Sequence, residues 1–283
     1  MRISVLGLGN MGRAFAARGI ETGHHVTVWN RSPGPAAELV ENGAVEAQSP
    51  AEAVSGADAV LVVLADDTAV FDVCLGSDGA LASLGPSAVF ANISTVSPDT
   101  ARRLAEVGPE GRVLDAPVMG SPAMIVGGLG RFLIGGPAPA IAAVDPLWND
   151  LGAGYTHCGP AGTGATVKVL ANLLLITGVA SLAEAVATAR KCAVPDELLK
   201  SLLADSPLVS VASSLRLDSL LDANHPGWFS PTLARKDLRL AIDLAAEAGV
   251  GVRIGPAAEA LLTTVIDAGD QWPDFAAVIE ALT

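Results

Sequence analysis

The chain has 283 residues, 51% of them hydrophobic and 17% charged, with a formal net charge of −13. Its length allows two domains with separate cores, and its acidity argues against nucleic acid, which calls for a basic stripe. Cys74, Cys158 and Cys192 lack CxxC spacing and His24, His25, His157 and His225 lack metal-ligand spacing, so neither a disulfide framework nor a metal site is expected.

In chain order, residues 3–6 form a β-branched run ending in glycine, 13–22 a helical stretch and 26–29 a second strand. Further strands are predicted at 59–64, 88–93, 113–116 and 131–134. Continuous apolar strands alternating with helical segments predict an α/β domain, a doubly wound and mostly parallel sheet covered on both faces. The pattern changes at Gly159-Pro160-Ala161-Gly162. Beyond it only Ala- and Leu-rich helices are predicted, at 167–190, 195–203, 209–221, 231–248 and 255–267. Pro195, Pro231 and Pro256 sit where helices begin. The expected division is an α/β domain over 1–160 and an all-α domain over 161–283.

A mean hydropathy of +0.47 raises the question of a membrane. The uncharged stretch 169–183 is shorter than the roughly 20 residues a spanning helix needs, and it contains Asn172, Thr177 and Ser181. It is read as a buried helix. The chain enters a strand at once with no basic, Ser-rich or signal-like leader, which predicts a cytoplasmic protein.

The loop after the first strand reads Gly7-Leu8-Gly9-Asn10-Met11-Gly12. The first glycine permits a tight turn, the second lets a pyrophosphate approach the backbone, and the third lets helix and sheet pack closely. The helix that follows offers free N–H groups and a partial positive charge to phosphates. Where NAD sites carry an acidic residue at the end of the second strand, this chain has Asn30-Arg31-Ser32. A guanidinium and a hydroxyl suit a 2′-phosphate, so the expected cofactor is NADP(H).

Lys168 follows Gly162 and Gly164 and opens the long apolar helix, with Asn172 one turn later on the same face. A lysine in apolar surroundings is desolvated, which disfavours its charged form and suits a general acid or base. The plainer reading is a snorkelling lysine at a domain junction. Three further segments have the character of ligand contacts. Asn92-Ile93-Ser94-Thr95 ends a strand with small polar groups, and Asp115-Ala116-Pro117-Val118-Met119-Gly120-Ser121 leaves another through a flexible turn. Arg235-Lys236-Asp237 brings positive charge on a late helix.

Together GLGNMG (7–12), NIST (92–95), DAPVMGS (115–121), GTGATVKVLAN (162–172) and KDLRLA (236–241) resemble the β-hydroxyacid dehydrogenase family over nearly the whole chain. The resemblance implies an N-terminal Rossmann domain, a long interdomain helix and a C-terminal helical domain that builds a homodimer or homotetramer. It implies Lys168 as the acid/base with Asn172 beside the substrate. It also implies Thr95 and Lys236 near the nicotinamide, with Leu64 and Ala65 along the cofactor. The implied substrate is a small 2- or 3-hydroxy acid, or the matching aldehyde acid. Its carboxylate is held at Val118, Met119, Gly120 and Ser121, with Asp237 on the substrate side.

The chain departs from that family at Met119, which stands where a serine is usual. A thioether cannot donate a hydrogen bond to a carboxylate, so a more apolar pocket is expected. Residues 28–32 and 119–122 also resemble imine reductases, a related group that generally lacks a lysine at the position of Lys168. Three readings follow: an NADP-dependent hydroxyacid dehydrogenase, a reductase of imines or bulkier carbonyls, and a non-catalytic dinucleotide-binding reader. Turnover of NADPH with any substrate separates the reader from the two enzymes.

Overall fold

A computed structural model describes residues 1–76, 78–204, 206–269 and 272–282. The chain divides into two compact units, Met1–Lys168 and Val169–Thr283.

The first unit alternates strands and helices: β1 (Arg2–Leu6), α1 (Asn10–Glu21), β2 (His25–Trp29), α2 (Ala37–Glu41), β3 (Val45–Glu46), α3 (Pro50–Val54), β4 (Ala59–Val62) and α4 (Asp67–Cys74). It continues through β5 (Val89–Asn92), α5 (Pro98–Val107), β6 (Val113–Asp115), β7 (Val118–Met119), α6 (Pro122–Val126) and β8 (Arg131–Gly135). The helices α7 (Ala138–Ala143) and α8 (Asp145–Asp150) and the strand β9 (Tyr155–Gly159) complete it. The strands form one sheet in the order β3-β2-β1-β4-β5-β6-β8-β7, with β9 paired to β8. Pairing is parallel from β3 to β6 and antiparallel where β8 meets β6 and β7.

Alternation along each strand feeds two cores. Ile3, Val5, Val26, Val28, Leu61 and Ala91 lie in one with Phe15, Phe132 and Trp148. Leu6, Val60, Val62 and Phe90 lie in the other with Val70, Val73 and Leu104. Burial on both faces is why these strands read as unbroken apolar runs. Each large side chain so buried contributes about 1.5–3 kcal/mol. Trp148 is fully buried and still satisfied, since its indole N–H donates to the Ile141 carbonyl at 3.1 Å.

Three strands escape the sequence pattern. β3 and β7 are two residues each, too short to show a period. β9 (YTHCG) has no fully buried residue and carries no apolar run. The supposed flexible turn after Asp115 is therefore partly strand, with Val118 paired to Phe132 and Met119 to Arg131.

The second unit is helical. α9 (Thr163–Lys191) begins in the first unit and is followed by α10 (Asp196–Leu203), α11 (Val211–Ser214), α12 (Leu217–Leu221), α13 (Pro231–Glu247), α14 (Ile254–Asp267) and a 3₁₀ segment at Phe275–Leu282. α9 is longer than the uncharged stretch suggests and meets the length and composition of a membrane span. Its buried face, Ile176, Val179, Ala183 and Val186, is packed in the core that also contains Leu238, Leu262 and Phe275. α13 starts as its sequence dictates, with Ser230 capping the Leu233 N–H and Pro231 in the first turn.

The single helix expected over 209–221 is instead two short ones. The break falls at Arg216, which has φ −106° and ψ 2°. Its Nε donates to Asp274 Oδ1 at 3.0 Å, and its guanidinium lies 4.5 Å from the centre of the Phe275 ring. Asp274 also accepts from the Ala276 N–H at 3.1 Å, at the start of the 3₁₀ segment. A buried ion pair thus overrides local helical propensity.

Candidate functional site

Leu6, Val62, Asn92 and Asp115, at the ends of β1, β4, β5 and β6, align in one row across the sheet. Four loops therefore leave the same edge of the first unit. They carry residues 7–12, 63–66, 93–97 and 116–121.

In the first loop Gly7 has φ +97°, a conformation L side chains rarely adopt. A Cβ on Gly12 would collide with the Gly7 carbonyl, whereas one on Gly9 would meet nothing within 4 Å. α1 begins at Asn10 with no side-chain cap and no acidic residue in its first turn. Its N–H groups and the open side of Gly9 form a cradle that fits a pyrophosphate. Leu8 is buried, Met11 half-buried and Asn10 exposed.

Asn30, expected on the cofactor, serves the loop itself. Its Oδ1 accepts from the Leu8 N–H at 3.0 Å and its Nδ2 donates to the Ser32 carbonyl at 2.9 Å. Arg31 and Ser32 are exposed at the end of β2, with no carboxylate before Glu38. That stretch offers a guanidinium and a hydroxyl and no acidic acceptor.

The second and third loops are stitched together by Ser94. Its hydroxyl accepts from the Leu64 N–H at 2.9 Å and donates to the Val62 carbonyl at 3.2 Å. The Ser94 N–H donates to Asn92 Oδ1 at 3.2 Å, while Asn92 Nδ2 is buried without a protein partner. Leu64 and Thr95 are half-buried and Ala65 is exposed beside them.

In the fourth loop Val118 is buried and Met119 is 41% exposed, so the thioether faces out. Ser121 caps α6, accepting from the Met124 N–H at 3.2 Å. Arg131, opposite Met119 in the β7–β8 pair, is committed to Thr156 Oγ1 and to the carbonyls of Ala153 and Tyr155.

Asp115 begins that fourth segment, which the sequence marks only as a ligand contact. Its side chain is buried, and it reaches the start of α9. Oδ1 accepts from the Gly162 N–H and Oδ2 from the Ala165 N–H, both at 2.8 Å. Burial pushes this carboxyl above its ordinary range, and hydrogen bonds from Gly162, Ala165 and Gly164 pull it back. Lys168, half-buried, follows Ala165 by three residues, one turn along α9.

In the second unit Asn172, Lys236 and Asp237 come together. Asn172 Nδ2 donates to Asp237 Oδ2 at 2.6 Å, and Lys236 Nζ lies 2.5 Å from Asp237 Oδ1. Asp237, expected against the substrate, thus accepts from Asn172 through Oδ2, while its buried Oδ1 has the Lys236 ammonium beside it as an ion-pair neighbour and accepts no hydrogen bond. A carboxylate only accepts, so the Asn172 amide turns its nitrogen to Asp237 and leaves Oδ1 as the acceptor it presents elsewhere.

Residues 2–159 match the family described as the NAD binding domain of 6-phosphogluconate dehydrogenase. Residues 162–282 match the family described as NAD-binding of NADP-dependent 3-hydroxyisobutyrate dehydrogenase. A 3-hydroxyisobutyrate dehydrogenase of Pseudomonas aeruginosa is 31% identical over 98% of this chain and 96% of its own. The solved Mycobacterium tuberculosis 3-hydroxyisobutyrate dehydrogenase with L-serine superposes with a TM-score of 0.84 at 28% identity, covering 100% of this chain and 99% of that one. A reductive aminase from Aspergillus terreus, in complex with NADPH and ethyl-5-oxohexanoate, gives a TM-score of 0.63 at 25% identity over 100% of this chain and 99% of that one.

Proposed function

The chain belongs to the β-hydroxyacid dehydrogenase family, and on that premise we propose that it is an NADP-dependent oxidoreductase of small hydroxy acids or aldehyde acids, with Lys168 as the proton carrier. The observation that carries this reading is the anchoring of the helix start before Lys168 to the sheet edge from which the glycine loop leaves. The bound nicotinamide supplies or accepts the hydride.

In this reading Gly7, Leu8, Gly9, Asn10, Met11 and Gly12 hold the pyrophosphate, and Arg31 and Ser32 take the 2′-phosphate. Leu64, Ala65 and Thr95 lie along the cofactor, and Lys236 serves its nicotinamide end. During oxidation the Lys168 amine accepts the hydroxyl proton as the carbinol C–H leaves with its electron pair. In reduction the ammonium returns a proton to the carbonyl oxygen. Asn172 offers Oδ1 to a hydroxyl or ammonium proton and keeps that orientation through Asp237. Val118, Met119, Gly120 and Ser121 face the remainder of the substrate. The exposed apolar side chains of Leu174, Leu208, Val211 and Leu215 support assembly as a homodimer or homotetramer.

Met119 favours a second reading, a reductase of imines or of bulkier, less polar carbonyls. Its thioether replaces a hydrogen-bond donor, and Arg131 is committed elsewhere. The deciding experiment is a spectrophotometric screen of small aldehyde acids, ketones and cyclic imines with NADPH and with NADH. Oxidation of NADPH in preference to NADH by an aldehyde acid is the expected result. Turnover of imines or apolar ketones alone selects the second reading, and no oxidation with any class overturns both.

A further inference from the structure

We propose that Asp115 is the positioning residue for Lys168, holding the first turn of α9 against the end of β6 so that the amine sits at a fixed height over the sheet edge. The inference rests on Lys168 as proton carrier for its functional meaning, and on the hydrogen bonds of Asp115 for its geometry.

The first turn of α9 contains no acidic residue, although such residues stabilise the positive end of a helix. The negative charge comes from another element. Asp115 is 3% exposed, is the last residue of β6, and receives the N–H groups of Gly162 and Ala165 on separate oxygens. Two carboxylate oxygens on two backbone donors fix the turn in rotation as well as in height, which a single bond does not.

The surroundings are shaped to this carboxylate. A Cβ on Gly135 would collide with Asp115 Oδ1, and one on Gly164 would lie 2.9 Å from Asp115 Oδ2. Gly135 is the register partner of Asp115 on β8. Gly135 is therefore kept empty beside the side chain, while at Gly164 the Leu133 carbonyl is the nearer obstruction. Its charge is also felt nearby: after burial, it is the next cause holding the Cys158 thiol above its ordinary range.

A proton carrier works only within a narrow range of positions, and an error of about 1 Å can cost roughly 100-fold in rate. Lys168 has a long, flexible stem, so the backbone from which it springs must be fixed first. Asp115 fixes that backbone one turn upstream.

Two variants disturb the anchor in different ways. Asp115→Asn keeps one acceptor oxygen and sets an N–H against an N–H at the other. Gly135→Ala displaces the carboxylate and keeps its charge. In both, the amides of residues 162–168 should exchange with deuterium at least about tenfold faster, and kcat should fall by roughly 10- to 100-fold with the NADPH dissociation constant unchanged. Unchanged exchange, unchanged kcat, or an equal loss of NADPH affinity overturns the proposal. If the wild-type chain turns over nothing, the functional reading fails by itself, and the anchoring is decided by the exchange rates alone.

Discussion

The first unit shapes its candidate site largely with backbone: glycines that exclude a Cβ, a helix start at α1 without a side-chain cap, and a row of strand ends in register. The second unit works through side-chain charge: Asp237 gathers Asn172 and Lys236, and Asp274 gathers Arg216 with three backbone donors from Trp228, Phe229 and Ala276. The difference teaches where each unit is vulnerable. Asp115 apart, adding an atom harms the first, and removing a charge harms the second.

The sharpest division lies at Lys168, the last residue of the first unit, where chemistry and not architecture should fail. Lys168→Ala should lower kcat by about two to four orders of magnitude while NADPH binding and melting temperature stay near wild type. A turnover close to normal removes Lys168 from the mechanism.

Next in size is Asp274→Ala. It strands the Arg216 guanidinium in a buried setting, so urea unfolding should show a loss of about 3–5 kcal/mol. A loss below about 1 kcal/mol would mean that charge does not organise the second unit.

Gly12→Ala should cost about 1–3 kcal/mol through overpacking against the Gly7 carbonyl. Gly9, at φ −67° and ψ −172°, accepts an alanine without strain. Gly9→Ala should therefore keep stability within about 0.5 kcal/mol and still weaken NADPH binding in a fluorescence titration. Equal destabilisation by both would break the distinction between packing glycine and ligand-facing glycine.

The smallest effect is expected at the exposed Arg31. Arg31→Ala should raise KM for NADPH about tenfold, the worth of one charged hydrogen bond, and leave KM for NADH nearly unchanged. Parallel rises would remove the 2′-phosphate from its surroundings.

Much of the first unit was legible because its constraints are local. Gly7 must turn and Gly12 must make room for a carbonyl a few residues away, so the spacing alone reports them. β9 was illegible because its exposed residues leave no apolar period, and β3 and β7 because two residues cannot show one. Asp115 was illegible for another reason: its partners lie 47 and 50 residues later. The same holds for Asn172 with Asp237, 65 residues apart, and Arg216 with Asp274, 58 apart. Sequence pattern reports periodicity and turns, whereas pairings across such spans are set by how elements pack. The break at Arg216 shows the consequence, since helical propensity over 209–221 yields to a partner the local pattern cannot display.

Asn30 bears on any attempt to re-engineer coenzyme choice. One amide group holds both the Leu8 N–H and the Ser32 carbonyl, so the glycine turn and the segment after β2 form one mechanical piece. An aspartate at position 30 would still accept from Leu8 but would drop Ser32 and set a negative charge behind the glycine loop. On the proposed NADPH preference, a change toward NADH is better made at Arg31 and Ser32, with Asn30 left as the hinge pin between them and the glycine turn.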